Sequence, residues 1–118
     1  MRRSTAPSYP VSIFIAGDYD AARQVCREYC DETGFCVTVT ATSYVYTDGE
    51  EAGVIVGLIN YPRFPMTPDG MQDHAVTIAD RLRLALGEES YSIQYPHRTV
   101  WHSWRDTPTH PERQSNDQ

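Results

Sequence analysis

The sequence predicts an α+β domain in which an antiparallel sheet carries two helices, and three observations predict it. Two β-type runs, residues 35–47 and 52–61, flank the turn segment "TDGEE" and read as a long hairpin. Two stretches with three- and four-residue apolar spacing each start at a capping side chain and stop at a glycine. One apolar run precedes the first helix, and one alternating run follows the second. The order strand, helix, strand, strand, helix, strand is the ferredoxin-like split β-α-β pattern, with a short fifth strand offered by "VWHSW".

The first strand, "VSIFIAG", is apolar at both alternating sets of positions, as expected for a central strand covered by other elements. Asp18 then supplies a cap for a helix from Tyr19 to Glu32, in which Ala22, Val25, Cys26, Tyr29 and Cys30 recur at helical spacing and Gly34 is the stop. In the hairpin, Val37 and Val39 alternate with Thr38, Thr40 and Thr42, the period of a half-exposed strand, and Asp48-Gly49 is expected at the centre of the turn. Thr67 and Pro68 have the cap and first-turn order of a second helix, which is expected to bury Met71, Ala75, Ile78, Leu82 and Ala85 and to end near Gly87. "SYSIQY" follows as an alternating strand, and "PHRT" turns the chain.

The 118 residues suffice for one core and not two, so a single domain is expected over residues 11–105, with residues 1–10 and 106–118 as mobile polar tails. No apolar run approaches the roughly 20 residues that span a membrane. With no secretory pattern in "MRRSTAPSYPVSIFIAG", the expected location is the cytoplasm, without a membrane partner. A formal net charge of -6 argues against a duplex nucleic acid partner, for which a strongly basic face is needed. All ten cationic residues are arginine, the side chain whose planar fork matches phosphate, although the codon usage of a GC-rich genome is the simpler explanation of that preference. Cys26, Cys30 and Cys36 show no zinc spacing and read as free thiols.

Three constellations offer chemistry. In "NYPRFP", Pro62 and Pro65 stiffen the chain around Arg63, with Asn60, Tyr61 and Phe64 beside it: an arginine, an amide and aromatic faces are what hold a nucleotide. A rigid strand-to-helix connection, with Phe64 plugging the core, explains the same residues. In "TVWHSWR", Trp101, Ser103 and Arg105 share one alternating face, where they serve a ligand, the core or an intersubunit seam. Arg23 and Arg27 lie one helical turn apart, either around an anion or as a solvated face in which Arg27 meets Asp31. No phosphate-cradling glycine loop and no nucleophile elbow is present, and His97, His102 and Asp106 form an acid/base group only if the fold joins them. The residues therefore point to a binding protein, not an enzyme, with no cofactor.

"IFIAGDYDAARQVCREYC", "GFCVTVTATSYVYTDGEEAGVIVGLINYPRFP" and "TVWHSWR" together resemble the Thoeris anti-defence sponge family, phage proteins that sequester the cyclic ADP-ribose isomers made by bacterial TIR-domain immune enzymes. The resemblance runs from Val11 to Arg105 and implies a homo-oligomer in the host cytoplasm that binds cyclic nucleotides, in some members also cyclic oligonucleotides, without cleaving them. By position it implies ligand-binding arginines at Arg23 and Arg105; Asn60, Arg63 and Phe64 are added from chemistry. Two other readings stay open. One is an anti-CRISPR-like inhibitor that meets a host defence protein through its acidic face and the "YVYTDGEE" hairpin. The other is a small enzyme or ligand-binding regulatory module of ferredoxin-like architecture.

Overall fold

The computed structural model describes residues 1–105 and contains β1 (Val11–Ala16), α1 (Tyr19–Thr33), β2 (Thr38–Tyr46), β3 (Gly49–Leu58), α2 (Pro68–Leu86), β4 (Ser90–Gln94) and β5 (Thr99–Ser103). The expected α+β order is therefore present, including the fifth strand. The tail expected at residues 106–118 lies outside the described residues.

The strands form one sheet in the order β2-β3-β1-β4-β5, with every neighbouring pair antiparallel. β1 is central, as its apolar run requires, and only one of its faces is buried: Val11, Ile13 and Ile15 point into the core. Val54, Val56 and Leu58 of β3 and Tyr91 and Ile93 of β4 fill the same face. α1 packs over β2 and β3, and α2 over β1 and β4.

Both helices start and stop where their caps dictate. Asp18 accepts a hydrogen bond from the Ala21 N–H at 2.9 Å, and Thr67 accepts one from the Gly70 N–H at 3.0 Å. Gly34 and Gly87 close the helices in the left-handed conformation. The buried stripe of α2 is Met71, Ala75, Ile78, Ala79 and Leu82; Ala85, expected inside, is exposed because the stripe continues four residues after Leu82 at the half-buried Leu86, which packs against the core.

The hairpin turn also differs from expectation by one residue. Tyr46 pairs with Gly49, so the two-residue loop is Thr47-Asp48, with Asp48 at a φ of 64°. Gly49 belongs to the strand, where a Cβ would meet the Tyr46 ring at 2.8 Å. Gly53 has a similar origin. It faces away from the helices, and the Tyr44 ring lies over it while the Tyr44 hydroxyl donates to the Val54 carbonyl at 2.6 Å. Among the described residues no helix is long and apolar enough to cross a membrane.

Candidate ligand-binding cleft

The sheet register places the start of β1, the end of β3 and the end of β4 side by side, since Val11 pairs with Leu58 and Ser12 with Gln94. Three connections therefore converge at this end: the segment before β1, the residue 59–67 passage into α2, and the residue 95–98 turn into β5. Between them lies a cleft of about 330 Å³. That is the lower end of the range for small-molecule sites, about 300–1,000 Å³. Ser8, Tyr9 and Val11 form one wall, Pro68, Asp69, Met71 and Gln72 a second, and Tyr95, Pro96, His97 and Arg98 the third.

The third wall is held by a tight turn, in which the Tyr95 N–H donates to the Arg98 carbonyl at 2.7 Å. Arg98 folds back over the Tyr95 ring, 4.7 Å from its centroid, and donates to Gln72 Oε1 at 3.1 Å. The turn is thus joined to the first turns of α2. Burial pushes the Tyr95 phenol up, against the opposing pull of Arg98, so it stays a neutral ring at physiological pH. The cleft combines a cationic fork, one carboxylate, an imidazole, an amide and two phenols around the apolar Val11 and Met71. Among the described residues no three histidine, cysteine, aspartate or glutamate side chains gather as a metal site.

Behind the cleft stands Asn60, buried to 7% exposure at the end of β3. Its amide donates to the Pro7 carbonyl at 2.9 Å and to the Tyr9 hydroxyl at 3.1 Å, and its oxygen accepts from the Met66 N–H at 2.9 Å. The Tyr9 hydroxyl in turn donates to the Met66 carbonyl.

The residues singled out from the sequence fall in three separate places. Asn60, Arg63 and Phe64 belong to the connection at the cleft end; Phe64 is exposed and its ring lies 5.4 Å from that of Tyr61, so it does not plug the core. Trp101, Ser103 and Arg105 lie along and beyond β5, on the sheet face opposite the helices. Ser103 Oγ accepts from the Arg105 N–H at 3.3 Å, and Arg105 meets Glu89 at 3.3 Å. Arg23 and Arg27 lie on the outer face of α1, paired with Asp20 at 3.6 Å and Asp31 at 3.5 Å.

His97 and His102 are not brought together either. His97 lines the cleft, whereas the His102 ring lies 4.9 Å from that of Tyr91 on the helix side of β5, where Trp104 and Arg83 continue the cluster. Asp106 lies outside the described residues. Sequence reasoning passed over Tyr9, Asp69, Gln72, Tyr95 and Arg98. A signal for the last two was present in "YPHR", a proline turn that carries an aromatic and an arginine just as "YPRF" does.

No protein-family model and no curated protein matches the chain. Solved structures do. Phage SAM lyase in complex with S-methyl-5'-thioadenosine superposes with a TM-score of 0.70 at 14% identity, covering 90% of this chain and 98% of that one. Phage SAM lyase in its apo state gives 0.66 at 13% identity, over 92% and 98%. At these identities the likeness is one of fold.

It nevertheless corrects two expectations. A sponge that holds cyclic nucleotides without cleaving them, and a chain that is not an enzyme, both conflict with a fold whose solved counterparts over nine tenths of the chain are a lyase. The sequence offers no phosphate-cradling glycine loop and no nucleophile elbow, and a likeness of fold at 13–14% identity leaves no shared motif to read in it. The phage affiliation of the resemblance is shared by these counterparts; the sequestering activity is not.

Proposed function

We propose that the chain is an enzyme that binds S-adenosylmethionine in the cleft at the open ends of β1, β3 and β4 and releases S-methyl-5'-thioadenosine. The observation that carries the reading is the cleft itself: its groups complement this substrate, on a fold shared with phage SAM lyase. The substrate is a sulfonium cation with an adenosyl group on one side and an amino acid on the other. Tyr9 and Tyr95 offer aromatic faces to the base and the sulfonium. Asp69 offers a carboxylate to the ribose hydroxyls or the ammonium, and Arg98 retains free N–H groups for the substrate carboxylate.

Release of S-methyl-5'-thioadenosine breaks the bond between sulfur and the methionine-derived carbon, and the bonding pair returns to sulfur, while the substrate's own carboxylate oxygen forms the new bond to that carbon and closes a neutral lactone. The positive charge on sulfur disappears in the transition state. The apolar surfaces of Val11 and Met71 favour such a loss of charge, and the protein's task reduces to fixing the reacting conformation.

Turnover of a methyl donor also suits a phage anti-defence role. It starves host systems that depend on S-adenosylmethionine, and it replaces sequestration by destruction. The test is calorimetric titration with S-methyl-5'-thioadenosine and S-adenosylmethionine, followed by product analysis. Saturable binding of both supports the reading; absence of binding to either refutes it.

A further inference from the structure

We infer that Asn60 is a positioning residue: a buried amide latch that sets the width of the cleft without touching its contents. The inference rests on the cleft being the binding site proposed above.

Asn60, Tyr9 and Met66 close a ring of hydrogen bonds. The Asn60 amide donates to the Tyr9 hydroxyl, the Tyr9 hydroxyl donates to the Met66 carbonyl, and the Met66 N–H donates back to the Asn60 oxygen. The second amide proton reaches the Pro7 carbonyl. Asn60 and Tyr9 each donate and accept within the ring, so their bonds polarise one another, and Asn60 at 7% exposure has little access to water that could replace a lost one. An asparagine is the side chain that does this: it offers two donors and an acceptor on one planar group.

The three anchor points explain what the ring is for. Pro7 and Tyr9 belong to the segment that forms the first wall, and Met66 directly precedes Thr67, the cap that starts the second wall. Asn60 itself is not in the lining. One buried group at the end of β3 therefore ties a segment without helix or strand to the first turn of α2. Without it, residues before β1 have no regular structure to keep them beside the cleft. Tyr9 adds a ring to that wall, and its hydroxyl is consumed by the latch rather than offered to a ligand.

The test uses the full chain with Tyr9→Phe, which keeps the ring in the wall and removes both hydroxyl bonds, and Asn60→Ser as a second variant. Backbone order parameters of Ser8 and Tyr9 are measured together with S-methyl-5'-thioadenosine affinity and thermal midpoint. In the wild-type protein both residues are expected near the rigid value of about 0.85, falling below about 0.6 in the variants. Affinity is expected to weaken about tenfold, the equivalent of one or two hydrogen bonds, with β1 and α2 as rigid as before. A purely structural asparagine predicts instead a lower midpoint with unchanged affinity of the folded fraction. Ser8 and Tyr9 that stay rigid in both variants, or affinity unchanged while they loosen, overturn the inference. A wild-type protein that binds no S-methyl-5'-thioadenosine refutes the ligand reading and removes the positioning role with it, even if the latch loosens as expected.

Discussion

Replacing Arg98 by alanine separates the two ligands that the cleft is proposed to hold. Arg98 is fixed over the Tyr95 ring at 4.7 Å and by its hydrogen bond to Gln72 at 3.1 Å, which leaves the rest of its fork to meet a carboxylate. S-adenosylmethionine has that carboxylate; S-methyl-5'-thioadenosine does not. A hydrogen bond between charged groups is worth about 1.5–3 kcal/mol, so affinity for S-adenosylmethionine should fall about 10- to 150-fold. Affinity for S-methyl-5'-thioadenosine should change by less than about fivefold, because only local contacts of Arg98 are lost, the exposed cation–π contact of about 0.5–1 kcal/mol and the exposed hydrogen bond to Gln72. Calorimetric titration of both ligands into wild type and Arg98→Ala reads the difference directly. Equal loss for both ligands would mean that Arg98 acts only by holding the turn, and equal retention of both would place the substrate carboxylate elsewhere.

Gly53→Ala should lower stability by about 2 kcal/mol, since its Cβ would meet the Tyr44 ring at 2.2 Å and the Ile15 carbonyl oxygen at 2.7 Å; a thermal midpoint within about 3 °C of wild type would contradict this. Stability should also fall as pH rises above the ordinary tyrosine value of about 10. Burial and then the hydrogen bond to Asp80 push the Tyr91 phenol up, and burial raises Tyr29, Tyr44 and Tyr95. A raised phenol favours the folded state while protonated, and that contribution is lost as pH climbs toward its folded value. Denaturant midpoints from pH 8 to 11 check the sign, and Tyr91→Phe should flatten the decline. Among the cysteines, Cys36 is exposed while Cys26 is buried with its thiol pushed up to about 11 by burial and then by Cys30. Iodoacetamide at pH 8 should therefore label Cys36 in the native protein and Cys26 only after unfolding, as read by peptide mass spectrometry.

The fold was legible because local signals agreed with one another. Asp18 and Gly34 bracket α1, Thr67 and Gly87 bracket α2, and the Val37-to-Thr42 alternation marks β2. Where the reading slipped, the turn took its left-handed residue elsewhere: Gly49 looks like the apex of a hairpin, but Asp48 adopts the φ of 64° and Gly49 pairs with Tyr46, so the loop lies one residue earlier. The cleft was much less legible. Its walls come from residues 8–11, 68–72 and 95–98, and only the antiparallel pairing of β1 with both β3 and β4 brings them together. Asn60 was conspicuous as a polar residue at a strand end, and its chemistry suggested a ligand contact. Its partners, Pro7 and Tyr9, lie about fifty positions away in sequence, so that bond pattern was invisible there. Arg23 and Arg27 show the opposite case, since the spacing of Arg27 and Asp31 already contained the ion pair that the structure forms.

The most direct measurement of the central claim is to incubate the purified protein with a large molar excess of S-adenosylmethionine and follow S-methyl-5'-thioadenosine by mass spectrometry, with a protein-free sample as the baseline. Many equivalents of S-methyl-5'-thioadenosine per protein are expected, with the rate at subsaturating substrate reduced in Arg98→Ala. Formation no faster than in the protein-free sample would contradict it.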